Sequence, residues 1–274
     1  MGTTPILVLG ATGSVGRRVA AHLRTLGVPV RPASRHGSTT RFDWHDRGTW
    51  EPALRGAGRA FLMAPDGIPV DPDFTDLAAD LGVGRVVLLS SRAIETMGDQ
   101  RLIEAEDTVK KCGVAWTVLR VDWFDQNFDE GPFRGAVLAG ELAVPVGDCR
   151  QGFVDLDDVG AVAARVLTED GHTDRTYELT GPQALSFAEA CTVIEDVTGR
   201  PMTFHGGEDA YRAAQAALGR PEESVERELA SYSALRALGD TEPLDTVPRL
   251  TGHRARTFRQ YVTDAATGPH WPRP

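Results

Sequence analysis

The stretch GATGSVGRR (10–18) carries three glycines, Gly10, Gly13 and Gly16, at a spacing of three. It lies between the apolar run PILVLG and the helical pattern SVGRRVAAHLRTLG. A strand, a glycine-rich turn and a helix start in this order bring backbone N–H groups and the positive end of a helix to one place, where a pyrophosphate can sit. Gly10 lets the chain turn sharply, Gly13 lets the backbone approach the phosphates, and Gly16 lets the helix pack on the strand. Thr12 and Ser14 add hydroxyl donors, and Val15 belongs to the same cradle. The spacing is G-x-x-G-x-x-G, not the G-x-G-x-x-G of most dinucleotide dehydrogenases. A bound nucleotide is expected; the plainer alternative is a joint that merely needs glycines.

The end of the second strand selects the cofactor. RPASRHGS (31–38) holds no acid to accept from the ribose hydroxyls of NAD(H). Ser34 and Arg35 stand there instead, and a planar guanidinium suits a 2′-phosphate. NADP(H) is therefore expected over NAD(H), against the alternative of a solvated loop arginine. Asp43 can accept from the adenine amino group or simply hold a turn. Farther along the carboxyl edge, Met63, Ala64, Pro65 and Ser90 are expected to border the cofactor. Ser91 and Asp122 are the candidates for a proton role, and Arg92, Trp123, Phe124, Asn127 and Phe128 for substrate contact. A loop Asp is also a common turn residue, and aromatic residues after a strand also form seams between layers.

These residues need a parallel sheet to align them. The first 120 residues alternate apolar runs (PILVLG, VPVRPAS, RAFLMAP, RVVLLSS, VAWTVLR) with helical patterns at 14–27, 48–56, 71–84 and 99–113. FDW (42–44) reads as a turn or short strand. Such alternation with short joints implies right-handed crossovers and an α/β, Rossmann-type doubly wound parallel sheet. After residue 121 the rhythm breaks: WFDQNFDEGPF is irregular, 141–148 and 152–158 are strand-like, and 158–170 is helical. RTYELTGP is a strand, SFAEACTVIEDVTGR a helix with Ser186 as N-cap and Gly199 as its stop, and PMTFHG a strand before helical material through 238. The expected division is a cofactor-binding domain over 1–150, with chain returning to it at 151–180. A small mixed α/β C-terminal substrate lobe follows over 181–265, and a loose, proline-rich tail over 266–274.

Composition narrows the partners. A formal net charge of −10 argues against nucleic acid or an anionic membrane surface, which select basic faces. No apolar run approaches the roughly 20 residues of a membrane span, and no signal peptide is expected, so a cytoplasmic protein is. Cys112, Cys149 and Cys191 suggest neither a disulfide framework nor a zinc site, and no G-x-S-x-G or paired histidines stand out. No metal is expected. A small-molecule substrate is the expected partner, with a homodimer as a further option.

GATGSVGRR, the arginine after the second strand, LLSS, VAWTVLRVDWFDQNF, YELTGP and LTGHRARTF together resemble the NmrA-like branch of atypical short-chain dehydrogenase/reductases, over about residues 5–265. Within it the pattern is similar to NAD(P)H-dependent quinone reductases and to reductases of ergot-type alkaloid biosynthesis. The resemblance implies a Rossmann domain, a small substrate lobe and a bound NADP(H). It also implies that Asp155, Asp157 and Asp158 are structural, in an acidic turn that caps a helix.

Typical short-chain reductases protonate the acceptor with a Tyr that has a Lys four residues on, helped by a Ser at the end of the fifth strand. Ser90 and Ser91 fit that Ser, but the first tyrosine is Tyr177. Of 29 basic residues only Lys110 and Lys111 are lysines, and both are expected to be solvated at a helix end, far from the cofactor. Hydride transfer to a quinone, iminium or activated alkene asks less of a protein acid. The expectation is thus an NADPH-dependent reductase of a small or medium conjugated or aromatic acceptor (quinone, iminium, enone or ketone). The alternative is a non-catalytic NADP(H)-binding redox sensor; a pocket turned to isomerisation or cyclisation ranks below both.

Overall fold

In the computed structural model, which describes residues 4–65 and 67–271, β1 (Ile6–Leu9) leads through the glycine turn into α1 (Ser14–Thr25). There follow β2 (Val30–Ser34), β3 (Thr40–Arg41), α2 (Trp50–Leu54), β4 (Arg59–Met63), α3 (Pro72–Asp80) and β5 (Arg85–Ser91). A short α4 (Ile94–Met97) and a longer α5 (Gln100–Lys111) precede β6 (Ala115–Val121). Then come α6 (Arg134–Ala139), β7 (Glu141–Ala143), α7 (Leu156–Thr168) and β8 (Arg175–Leu179). The chain closes with α8 (Phe187–Thr198), β9 (Thr203–His205), α9 (Glu208–Ala217), α10 (Glu222–Leu238), α11 (Thr246–Thr251) and α12 (Phe258–Ala265).

Seven strands form one sheet in the order β3-β2-β1-β4-β5-β6-β8, every neighbour parallel. This is a Rossmann-like α/β fold. Both faces of the sheet are covered, which is why its strands read as unbroken apolar runs. Ile6 and Val8 point to one side, where Val15, Val19 and Leu23 of α1 meet Val159, Val162 and Val166 of α7. Leu7 and Leu9 point to the other, against Phe42, Trp50, Phe74 and Val109. Winding reverses between β1 and β4, and the crevice beyond their carboxyl ends is where such sheets take a ligand. A third core gathers Phe128, Phe133, Phe153, Phe187, Phe258 and Tyr261 with β7 and β9, which pair parallel as a separate two-stranded sheet.

Several expectations need correction. Of the two options for 42–44 the turn is found, at Trp44, while the short strand β3 lies just before it at Thr40–Arg41; Phe42 is buried and meets Trp44 edge-on at 5.0 Å, closing an aromatic box with Trp50 and Phe74. α7 starts at Leu156 because Asp155 caps it, accepting from Asp157 N at 2.8 Å. α4 and α6 have no counterpart in the sequence reading. The C-terminal segment is not loose as far as it is described: Trp271 is buried, and its indole Nε1 donates to Phe128 O at 3.0 Å. Residues 272–274 of that segment lie outside the described residues. No helix among the described residues is long and apolar enough to cross a membrane.

Candidate active site

Gly10 has φ +65°, a conformation L side chains rarely adopt, and a Cβ on it would lie 2.4 Å from Met63 Sδ. Gly16 is closed off harder: its Cβ would stand 2.3 Å from Gly10 O, so only a hydrogen lets α1 approach β1. A Cβ on Gly13 would touch only Gly10 O, at 3.2 Å, and the residue is exposed, which leaves open space above the turn. α1 has no acidic residue in its first turn and no side-chain cap, so the amides of Ser14, Val15 and Gly16 face that space without partners from the helix. The Val15 side chain is buried in the core, so only its main chain can serve a phosphate. Met63 packs beneath the turn rather than beside it.

Glu130, which the sequence reading missed, borders the cradle. Its carboxylate pairs with Arg17 Nη2 (2.5 Å) and Arg18 Nη2 (2.8 Å). Burial would raise its pKa, but the two guanidinium groups and the Ser14 hydroxyl outweigh that and hold it down at about 2. No spacing rule links residue 130 to 17 and 18; only the fold joins them.

At the adenosine end, Arg35 is exposed and makes no hydrogen bond or ion pair among the described residues. Ser34 differs from expectation: it is buried, and its Oγ meets His36 O at 2.5 Å and Ser38 Oγ at 2.8 Å. It shapes the loop that presents Arg35. Asp43 serves as a turn residue, Oδ1 accepting from His45 N at 3.1 Å. Just after β4, Ala64 O accepts from Arg101 Nη1 at 2.9 Å, which fixes the edge formed by Ala64 and Pro65.

Beyond β5 and β6 the carboxyl edge opens into a cleft of about 640 Å³. It brings together Ser90, Ser91, Arg92, Asp122, Trp123, Phe124 and Asn127. Sequence reasoning missed Gln151, Glu178, Leu235 and Thr241, which arrive from distant segments with no local motif. Phe128 is a correction: it is fully buried, 5.1 Å from the Phe258 ring and 5.3 Å from Phe133, and belongs to the core. Trp123 stacks on Phe133 at 5.8 Å and lies parallel to Tyr232 at 6.3 Å, with its Nε1 donating to Gln151.

Asp122 is also a correction. Its Oδ1 accepts from Trp123 N (2.9 Å), and Oδ2 accepts from Arg92 Nη1 (2.9 Å) and Thr241 Oγ1 (3.3 Å). Both oxygens are engaged, so the carboxylate is a clamp and not a poised proton carrier. Arg92 also reaches Glu178 at 3.0 Å. Ser91 remains on the cleft, its Oγ 3.2 Å from Arg92 O.

The Ser90 hydroxyl turns away into a buried network. It donates to Glu106 Oε1 (2.7 Å), and Glu106 also accepts from Arg120 (2.8 Å) and Lys110 (2.8 Å). Burial pushes the Glu106 carboxyl up, yet Arg120, Lys110 and Ser90 bring it below the usual range. Lys110, expected to be merely solvated, is thus tied to this hub, because an i,i+4 helix pair spans the gap. Asp125 carries the opposite imprint: fully buried, with neither oxygen hydrogen-bonded, its pKa stands well above the carboxylate range through burial and the nearby Asp155.

The arrangement can seat a dinucleotide along the crevice and a flat molecule against Trp123 and Phe124. No family model matches the chain. Individual relatives do. A (4-alkanoyl-5-oxo-2,5-dihydrofuran-3-yl)methyl phosphate reductase of Streptomyces griseus is 35% identical over 281 residues, covering 95% of this chain and 98% of that one. An NAD(P)H azoreductase of Xenophilus azovorans is 29% identical, covering 94% and 96%. Among solved structures, an NADPH-dependent quinone oxidoreductase of Escherichia coli complexed with NADPH superposes with a TM-score of 0.79 at 23% identity, over 94% of this chain and 99% of that one. The chain belongs to the NmrA-like branch of atypical short-chain dehydrogenase/reductases, a family of NAD(P)H-dependent oxidoreductases.

Proposed function

We propose that the protein is an NADPH-dependent reductase that delivers hydride to a small or medium conjugated or aromatic acceptor such as a quinone, iminium, enone or ketone. The observation that carries this reading is the cleft beyond β5 and β6, walled by Trp123 and Phe124 at the carboxyl edge of the same sheet that carries the glycine turn. The unpaired Arg35 and the absence of an acid in 31–38 support NADPH over NADH. The Streptomyces griseus relative acts on a dihydrofuranone methyl phosphate whose ring alkene is conjugated to carbonyl groups, an acceptor of this electronic type although its phosphate is anionic.

No tyrosine precedes Tyr177, and Asp122 is clamped, so the reaction relies on positioning and on an acceptor that needs little protonation. Charge sharpens the choice. The cleft is lined by Glu95, Asp122, Glu178, Asp240 and Glu242 against Arg92 and Arg120. Each of these arginines is already held by two carboxylates. That favours neutral or cationic acceptors over anionic ones. Incubation with NADPH and a panel of quinones, imines, enones and ketones tests the reading: NADPH oxidation is expected with at least one neutral or cationic member, and none across the panel overturns it.

The missing proton donor also favours a second reading, a redox sensor that binds NADP(H) without turnover. It requires different affinities for the oxidised and reduced cofactor and a partner recovered by pull-down; equal affinities sink it.

A further inference from the structure

On the far side of Trp123 lies a second cavity, of about 930 Å³, between α6, β7, α9 and α10. Trp123 and Met97 line both spaces, so cavity and cleft share one wall. Protein interiors are normally packed to crystal density, and a lobe of this size closes such gaps with large side chains. Here the opposite has happened. α6 presents Ala136 and Ala139, and α9 presents Ala210, Ala213 and Ala214, at helical spacings that turn methyl groups toward the space. Part of the polar lining is paired within itself: Tyr211 donates to Glu228, and Arg220 pairs with Glu228 at 2.5 Å.

We infer that this cavity is an annex of the active site that takes the apolar tail of the hydride acceptor, an alkyl or acyl chain, while the conjugated head lies in the cleft. The tail passes beside Trp123 and Met97, the two residues common to both spaces. Size fits, since the annex is within the range of small-molecule pockets, and its Ala, Leu and aromatic wall offers apolar contact to a tail while the space stays open to solvent past the exposed Leu218. The identity of the head group rests on the reductase reading; the tail site does not.

The experiment has a binding arm and a turnover arm. Binding of 1-alkanols from butanol to nonanol to the full chain, with and without NADPH, is measured by calorimetry. Affinity is expected to rise about fourfold per methylene until the annex is full, the factor that burial of one CH₂ gives. Ala214→Phe fills the space and is expected to flatten that slope; Ala210→Phe, one turn away, does the same if the first variant folds poorly. In the turnover arm, 2-alkyl-1,4-benzoquinones are expected to show the same dependence in kcat/KM, with the methyl member unaffected by either plug. Affinity independent of chain length, or a slope unchanged by both plugs, overturns the annex. A slope removed by the plugs, with no acceptor reduced, leaves the annex standing and counts against the reductase.

Discussion

The two ends of the crevice are built by opposite means. At the phosphate end, what matters is what is absent: no Cβ at Gly10, Gly13 and Gly16, no acid in the first turn of α1, no partner for Arg35 among the described residues. At the acceptor end the central polar side chains are paired: Arg92 bridges Asp122 and Glu178, Thr241 reaches Asp122, and Ser90 is bound to Glu106. An empty, backbone-defined cradle suits a ligand that brings its own charges. A wall of paired side chains suits one that brings shape. In the proposed reading, the difference teaches that the cofactor is recognised by groups left free and the acceptor by groups held still.

The contrast can be broken at its strongest point first. Gly16→Val drives a side chain into the Gly10 carbonyl, and a loss of about 3 kcal/mol in stability together with undetectable NADPH binding is expected by denaturant unfolding and fluorescence titration. Gly13→Val, which meets only Gly10 O, should keep stability within about 1 kcal/mol while NADPH affinity falls at least tenfold. Equal stability losses in the two would erase the distinction between packing and ligand glycines. Next in size, Arg35→Ala should raise the Kd for NADPH about 10- to 100-fold, the worth of a charge-assisted contact, with NADH unchanged. Equal losses for both cofactors would remove Arg35 from 2′-phosphate recognition.

At the other end, Arg92→Ala leaves a nearly buried Asp122 without its cation. A cost of about 1–3 kcal/mol in stability and a roughly tenfold drop in kcat/KM are expected, with NADPH affinity unmoved. A change in cofactor affinity would show that the wall and the cradle are not separate. The smallest effect concerns Asp125. Its proton is held more tightly in the folded chain than in the unfolded one, because burial opposes ionisation. The folded state therefore binds more protons, and stability falls as pH rises above the unfolded value of about 3.9 toward the raised folded value. Asp125→Asn should raise the melting temperature by a few degrees at pH 8, with the gain vanishing near pH 4; a gain independent of pH would contradict this.

The cradle was legible in the sequence because its chemistry is local: seven residues fix the turn, the helix start and the space above them. The sheet was legible for a similar reason, since strands buried on both faces must be apolar throughout. The acceptor wall was only half legible. Trp123, Phe124 and Asn127 follow β6 directly and do reach the cleft, but Phe128, one residue on, faces the core. Whether Asp122 carries protons or clamps a loop depends on Arg92 and Thr241, which lie 30 and 119 residues away. Pairings at that distance leave no periodicity to read. Glu130 and Trp271 escaped for the same reason.

Glu106 and Lys110 stand four residues apart on the helix between β5 and β6, the spacing a typical short-chain reductase gives its tyrosine and lysine, and Ser90 touches Glu106 from the end of β5. Only the spacing is shared: this network is buried and turned away from the cleft. Fastened by Arg120 and Lys110, the Glu106 carboxylate holds the sheet edge together and has no proton to give.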